Sequence, residues 1–458
     1  MIFMPKKTVY CLAVIAAMAT TISAQAESLQ DAVESALNSH PTVEAAIAAR
    51  DAAIENQQTQ FSGYFPTIKL NASTGRVYGD NSTSRGLSVT RGTGYSWQHD
   101  GGATLTQMVF DGFRVSNRVD AAKYKRKAKN NNIVNVREDL ALQTTLAYMD
   151  VLRAHEEREH IKDYTRKIDD YISRINKMVK GGAAHEADLQ QAKDIRIMLD
   201  TIRYESEGRL ESASIRYSSL VGRHPDSEMA LPDLGEKTIP EEKTALNRAL
   251  EKHPILLASV NQAMAAESEM DVEKGSLYPE FNAEISYYKK DLDDLIGGEV
   301  VDAKGLLRMS WNFSTGGEQL NRIEKKKYDY INYKARVNEA RRQLEEKIRT
   351  AYTEMETSSH QYDVQSRRKG LQEALLKIYK NQFEGGSVTL LQLLQSENQL
   401  FSAGLEKIGA KYRLLAARYN VLASMGELQK ALNVVPASYD TSKNRQRPRT
   451  SEVSSNSK

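Results

Sequence analysis

Cysteine is almost missing from this chain. Its 458 residues contain one, Cys11, which excludes a disulfide framework and a thiolate metal site. Long apolar runs are missing too. Beyond the N-terminal segment no stretch reaches the ~18 apolar residues that a membrane-spanning helix needs. Charge of one sign is not in excess: 63 basic and 60 acidic residues leave a formal net charge of +3. No basic patch of the kind that binds nucleic acid stands out. Catalytic signatures are also lacking. There is no Ser-His-Asp arrangement, CxxC, HExxH or phosphate loop. His40 and His253 each precede a proline at a helix boundary and lack catalytic partners at matching spacing, so both read as structural. Neither an enzyme nor a cofactor is expected.

What is present begins with a leader. Lys6-Lys7, an apolar stretch over 9–19 and Ala24-Gln25-Ala26 follow one another in the order of a secretory signal peptide. Cleavage before Glu27 removes Cys11, which lies too far upstream to be a lipid-anchored cysteine. The processed chain then carries +1. A polar tail over 436–458, rich in Ser, Asn, Arg and Lys, is expected to be disordered.

Between leader and tail the chain repeats itself. Ala32, Ala36, Leu37, His40-Pro41 and Pro66 return 213 residues later as Ala245, Ala249, Leu250, His253-Pro254 and Pro279. Gly182, Leu189 and Gly222 return after 204 as Gly386, Leu393 and Gly426. The reading is two repeats, 27–234 and 235–435. Each runs short helix, helix, β-hairpin, very long helix, glycine turn, return helix.

The hairpins carry period-two alternation. In the second, about 278–314, Phe281, Ala283, Ile285 and Tyr287 alternate with polar residues, a polar loop covers 289–304, and Leu307, Met309, Trp311 and Phe313 resume the alternation. The first, about 64–111, carries Ile68 and Leu70, and its second strand, expected over 102–110, carries Ala103 and Leu105, with Gln107 breaking the pattern. The long helices are expected from about 113 to 180 and from 318 to 384, roughly 100 Å each. Ile161, Tyr164, Ile168, Tyr171, Ile175 and Met178 form a heptad-like stripe. Gly181-Gly182 and Gly385-Gly386 open the tips, 181–189 and 385–393.

Four strands cannot close a barrel, and an open edge cannot sit in hydrocarbon. Strands with one apolar and one polar face therefore require several chains to share one barrel, with the helices continuing its wall as a tunnel. The fold class is mainly α with a small β part.

The leader, the His-Pro helix starts, Tyr64-Phe65-Pro66 and Tyr278-Pro279 before the first strands, Phe110-Asp111-Gly112 and Phe313-Ser314-Thr315-Gly316-Gly317 at the strand ends, and the Gly-Gly tips together resemble the TolC family of outer-membrane efflux proteins. The resemblance implies a homotrimer with a twelve-stranded outer-membrane barrel and a periplasmic helical tunnel. It also implies a periplasmic adaptor and an inner-membrane pump, ABC or proton-driven, as partners, and outer-membrane lipid around the strands. It assigns adaptor docking to Gly181, Gly182, Ala183, Asp188, Leu189, Gly385, Gly386, Ser387, Val388, Thr389 and Leu390. It assigns the periplasmic gate to Asp188, Gln392 and Gln395, and the lipid-facing surface to Ile68, Leu70, Phe281, Ile285, Tyr287, Leu307, Met309, Trp311 and Phe313. The second tip is similar to branches serving type I protein secretion, adhesin exporters among them. Small-drug efflux is the alternative within the family. A soluble periplasmic coiled-coil scaffold is the alternative outside it.

Overall fold

Two helices of 67 residues, α3 (Arg114–Lys180) and α7 (Glu318–Glu384), set the long axis of the molecule. The structure is a computed structural model that describes residues 26–79, 94–182, 185–234, 239–292 and 299–434. Most of the leader, the tail and Ala183 lie outside the described residues.

The same order of elements occurs twice. α1 (Leu29–Ser39), α2 (Pro41–Phe61), β1 (Thr67–Gly79) and β2 (Gly94–Phe110) lead into α3 and α4 (Glu186–Val221). α5 (Glu242–Lys252), α6 (Pro254–Gly275), β3 (Glu280–Leu292) and β4 (Val300–Ser310) lead into α7 and α8 (Leu390–Ser424), and the short α9 (Leu428–Ala431) follows.

Local chemistry explains the boundaries. His40 and His253 are N-caps, each in an extended conformation, with proline at the first helical position. Their Nδ1 atoms accept from the N–H of Thr42 and of Ile255, both at 3.2 Å. His253 is buried, and burial pushes its imidazole down to about 4, so it stays a neutral acceptor. Asp111 caps α3 by accepting from Val115 N–H at 2.7 Å. Gly222 and Gly426, with φ of 84° and 72°, close α4 and α8.

The four strands form one antiparallel sheet in the order β1-β2-β3-β4. Each strand joins a long or flanking helix directly: α2 enters β1, β2 leaves into α3, α6 enters β3, and β4 leaves into α7. The helices pack side by side in that same order, α2-α3-α6-α7. Farther from the sheet the order becomes α4-α3-α8-α7. A wall results, four strands wide at one end and four helices wide below.

The main core surrounds the middle of α3, where Tyr148, Leu140 and Val151 meet Leu29, Leu37, Tyr217, Tyr419 and Leu428. A second cluster lies toward the tips. There Ile161, Tyr164, Ile168 and Ile175 of the predicted stripe pack against Leu199, Leu376 and Phe401.

One buried acid fastens the end of the chain. Glu138 of α3 accepts from the N–H groups of Leu428 and Gln429 at 3.1 and 3.4 Å and from the Gln429 side-chain amide at 3.0 Å. Burial pushes its carboxyl up to about 7. A folded value above the unfolded one means that its contribution to stability is full below about pH 4.3 and is lost as pH rises through about 7. The Glu138→Gln variant, whose side chain does not titrate, is therefore expected to lack the fall in stability that the parent shows between about pH 4 and pH 7. Thermal unfolding of both across this range checks it; parallel pH profiles would contradict it.

Candidate channel wall and tip site

The register separates the sheet into two chemistries. Ile68–Leu105–Ile285–Gly305 and Leu70–Ala103–Tyr287–Ala303 form rows across all four strands. Ile68, Leu70, Ile285 and Leu307 are 69%, 76%, 64% and 69% exposed, an apolar face open to its surroundings. Phe281 pairs with Met309 on the same face. The opposite face carries rows such as Lys69–Thr104–Ser286–Lys304. On it Arg308 donates to Glu284 at 3.2 Å.

Gln107 breaks the alternation for a visible reason. Its side-chain amide donates to the carbonyls of Tyr64 and Met108 at 3.1 and 2.7 Å. The register shifts immediately afterwards, between Met108 and Phe110, so that Phe110 pairs with Phe281. Val109 is the extra residue of a β-bulge, and Phe110 rejoins the apolar face.

Three expectations about the strands need correction. β2 starts at Gly94 rather than near 102, and β3 and β4 extend to Leu292 and back to Val300, so the polar stretch 289–304 is mostly strand. The outer ends of these strands pair through their backbones while carrying mostly polar side chains, as in Ser73↔Asp100 and Asp100↔Lys290, and periodicity does not register them. Trp311 and Phe313 lie beyond the end of β4. Their rings pack at 4.6 Å, and the indole donates to Leu277 O at 3.2 Å. With exposed Phe65, Phe113 and Tyr278 they make an aromatic collar where sheet meets helix, the usual place for such residues in a membrane barrel. In the sequence Phe65 and Tyr278 serve only as landmarks before the first strands and Phe113 only as the start of a helix; their shared place at the strand ends, beside Pro66, Pro279 and Gly112, makes them a collar.

The wall has two open flanks. One runs along β4 and α7, the other along β1, α2 and α4. Each bears exposed apolar or aromatic side chains. Val364, Leu371 and Ile378 on α7 stand at heptad spacing and are 51%, 60% and 51% exposed; Ile197 and Tyr204 on α4 are 68% and 64% exposed. Among the described residues no helix is long and apolar enough to cross a membrane.

At the far end α3 and α7 stop at glycines. Gly182 and Gly386 have φ of 74° and 70°. Ser387 N–H returns to Gln382 O at 2.9 Å and Gly386 N–H to Phe383 O at 3.0 Å. The return helices then start with matched caps. Asp188 accepts from His185 N–H at 3.3 Å, and Gln392 accepts from Thr389 N–H at 3.0 Å. Asp188 and Gln392 thus occupy the same capping position in the two repeats, while Gln395 is exposed.

Gly181, Gly182, Gly385, Gly386, Ser387 and Thr389 are exposed, and Val388 is half-buried. Leu189 and Leu390 are not available at the surface. They are 5% and 7% exposed, and they fill the second core cluster with Leu393 and Leu394. These leucines join the two helical hairpins to each other.

Behind the tip stands Glu397, which no sequence pattern marks. It lies on α8, 2% exposed, and accepts from the Tyr171 hydroxyl of α3 and from Lys380 Nζ of α7, both at 2.9 Å. Burial and the neighbouring carboxylate push the Tyr171 hydroxyl up. One carboxylate therefore ties three helices beside a cavity of about 380 Å³ lined by Tyr171, Met178, Phe383 and Leu393.

Comparison with known proteins now adds to this geometry. The family model described as outer membrane efflux protein matches residues 32–194 and 245–427. The outer membrane efflux protein BepC of Brucella suis is 23% identical over 367 residues, 79% of each chain. Outer membrane protein TolC of Escherichia coli is 22% identical, covering 89% of this chain and 83% of its own. Among solved structures, the Campylobacter jejuni CmeC outer membrane channel superposes with a TM-score of 0.77 at 18% identity, covering 91% of this chain and 88% of its own. VceC of Vibrio cholerae gives 0.74 at 16% identity, covering 87% and 96%. These likenesses extend through both repeats, sheet and long helices alike.

Proposed function

The chain belongs to the outer membrane efflux protein family, and from that premise we propose that it is the exit duct of a tripartite machine that exports a protein. It is an outer-membrane efflux channel of the TolC family, with a helical tunnel on the periplasmic side. Family and fold are those of channels, not enzymes. TolC-family channels in general are trimers that work with an adaptor and an inner-membrane pump.

The observation that carries the reading is a four-stranded sheet with two open edges, one exposed apolar face and one polar face. Such a sheet is stable in a membrane only when other copies close it. Head-to-tail closure joins β4 to β1 of the next copy as an antiparallel pair. It also brings α7 of one copy against α2 and α4 of the next, where the heptad row on α7 meets Ile197 and Tyr204. Three copies make twelve strands. Lys69, Lys304 and Arg308 against Glu284, Asp302 and Asp100 give the polar face nearly balanced charge, suited to passage rather than capture.

Protein cargo, with an adhesin as one candidate, rests on the second tip, Phe383 to Leu391. Deleting the gene and measuring both surface adhesin and drug sensitivity tests it. Loss of surface protein with unchanged drug sensitivity is the expected result; the reverse would assign small-molecule efflux. The exposed tip residues dock the adaptor, and Asp188, Gln392 and Gln395 line the gate. Because glutamine hydrogen-bonds without charge, multivalent cations are expected to block the channel weakly from the periplasmic side, and Gln395→Asp is expected to strengthen that block. Planar-bilayer conductance checks this; strong block of the unaltered channel would contradict it.

A further inference from the structure

The residue after Ala24-Gln25-Ala26 is one of the most firmly held in the molecule. Glu27 is 4% exposed, and its side chain 1%. Its N–H donates to Glu228 O at 3.0 Å, and its carbonyl accepts from Ala230 N–H at 2.9 Å, a short parallel bridge. The Tyr148 hydroxyl of α3 lies 2.7 Å from the same carbonyl. The carboxylate accepts from the Tyr217 hydroxyl of α4 at 2.6 Å, from Arg223 at 2.6 Å and from Asp226 N–H at 3.1 Å. Every polar group of Glu27 is engaged, and its partners are two long helices and the stretch 223–230 that leads from the first repeat to the second.

Chain ends ordinarily fray, and a buried carboxylate is costly unless fully partnered. Neither a loose leader junction nor an accidental burial accounts for this arrangement. We propose that Glu27 is the first residue of the mature chain and a clamp completed by leader removal. Hydrolysis of the Ala26–Glu27 peptide bond adds one water. Ala26 departs with the leader as a carboxylate, and the Glu27 nitrogen remains as an ammonium. That ammonium keeps the Glu228 contact and adds a second positive charge, after Arg223, on the residue that bears the buried carboxylate. The clamp pins 223–230 to α3 and α4 and so holds the link between the repeats closed. The proposal stands on these contacts and not on the channel reading.

The test uses full-length protein purified from the outer membrane. N-terminal sequencing is expected to give Glu27 first; any other first residue overturns the proposal. Trypsin reports the clamp, because cleavage after Arg223 requires that side chain to leave Glu27. The parent is expected to resist. Glu27→Ala is expected to be nicked there about 10-fold faster, and Glu27→Gln and Tyr217→Phe about 2–5-fold faster, as opening becomes more frequent. Parental rates in these variants overturn the clamp. If Glu27→Ala does not accumulate, the two milder variants decide alone. An alanine inserted between Ala26 and Glu27 and retained on the mature chain moves the ammonium away. Faster nicking is expected; a parental rate overturns the part assigned to the ammonium.

Discussion

Ile285→Lys is expected to abolish most assembled channel in the outer membrane, while Ser286→Lys, one residue along, leaves it near the parental level. The two positions are neighbours on β3 but face opposite ways. Ile285 sits in the row Ile68–Leu105–Ile285–Gly305 and is 64% exposed, whereas Ser286 sits between Thr104 and Lys304. A lysine on the lipid face near the bilayer midplane costs ~2–4 kcal/mol. Closed head-to-tail, each channel carries that cost once per copy, so a trimer carries it three times. On the polar face the new ammonium meets water, and repulsion from Lys304 opposite it costs at most ~1 kcal/mol. Extraction of outer membranes followed by semi-native electrophoresis gives the assembled yield of each variant. Equal yields would show that the faces have been assigned wrongly.

Gly112→Ala is expected to prevent accumulation of the folded protein. Two physical reasons act at once. Gly112 has φ of 69°, a conformation that alanine adopts at a cost of ~1 kcal/mol. A Cβ there would also lie 2.3 Å from Gly275 O. That atom is backbone, so relief requires the α6–β3 junction to move away from the β2–α3 junction. Gly275 reciprocates, since a Cβ on it would meet Gly112 O at 2.7 Å. The pair lets two chain segments touch where sheet becomes helix, and separating them disturbs the alignment of α3 with α6. The combined cost is several kcal/mol, beyond what most single substitutions inflict. Gly316→Ala serves as the control. Nothing lies within 4 Å of its Cβ position, and stability is expected to change by less than ~0.5 kcal/mol. Protein yield and thermal unfolding separate the two; a stable Gly112→Ala protein would contradict the close-contact account.

The large design was legible because it is written in features that local physics enforces. His-Pro starts, glycine stops and period-two runs each fix a boundary without reference to distant residues, and the expected ends of α3 and α7 agree with the structure to within a residue. The repeat made each reading check the other. What stayed hidden depends on partners. Leu390 on a single helix looks like exposed apolar surface; only the meeting of the two helical hairpins buries it. Glu397 reads as one of many helix-surface acids until Tyr171 and Lys380 are brought to it from two other helices. Glu27 reads as a residue that follows a leader, not as a clamp. The outer halves of the strands carry polar side chains, so backbone pairing maintains them where the hydrophobic pattern has ended.

Closure of the barrel between copies is central to the channel, and engineered cysteines test it directly. Cys11, the single cysteine, lies in the expected leader, so introduced thiols have no competitors once that leader is removed. Ile68→Cys on β1 is combined in turn with Val301→Cys, Ala303→Cys, Gly305→Cys or Leu307→Cys on β4. Within one chain β1 and β4 are separated by two strands, about 14 Å at the usual strand spacing. A disulfide reaches only ~7 Å between Cα atoms. Any bond that forms must therefore join different copies. Oxidation in isolated outer membranes is predicted to give, for at least one pair, bands at one, two and three times the chain mass and nothing larger. No cross-link with any pair, or a ladder continuing past three, would contradict a barrel shared by three copies.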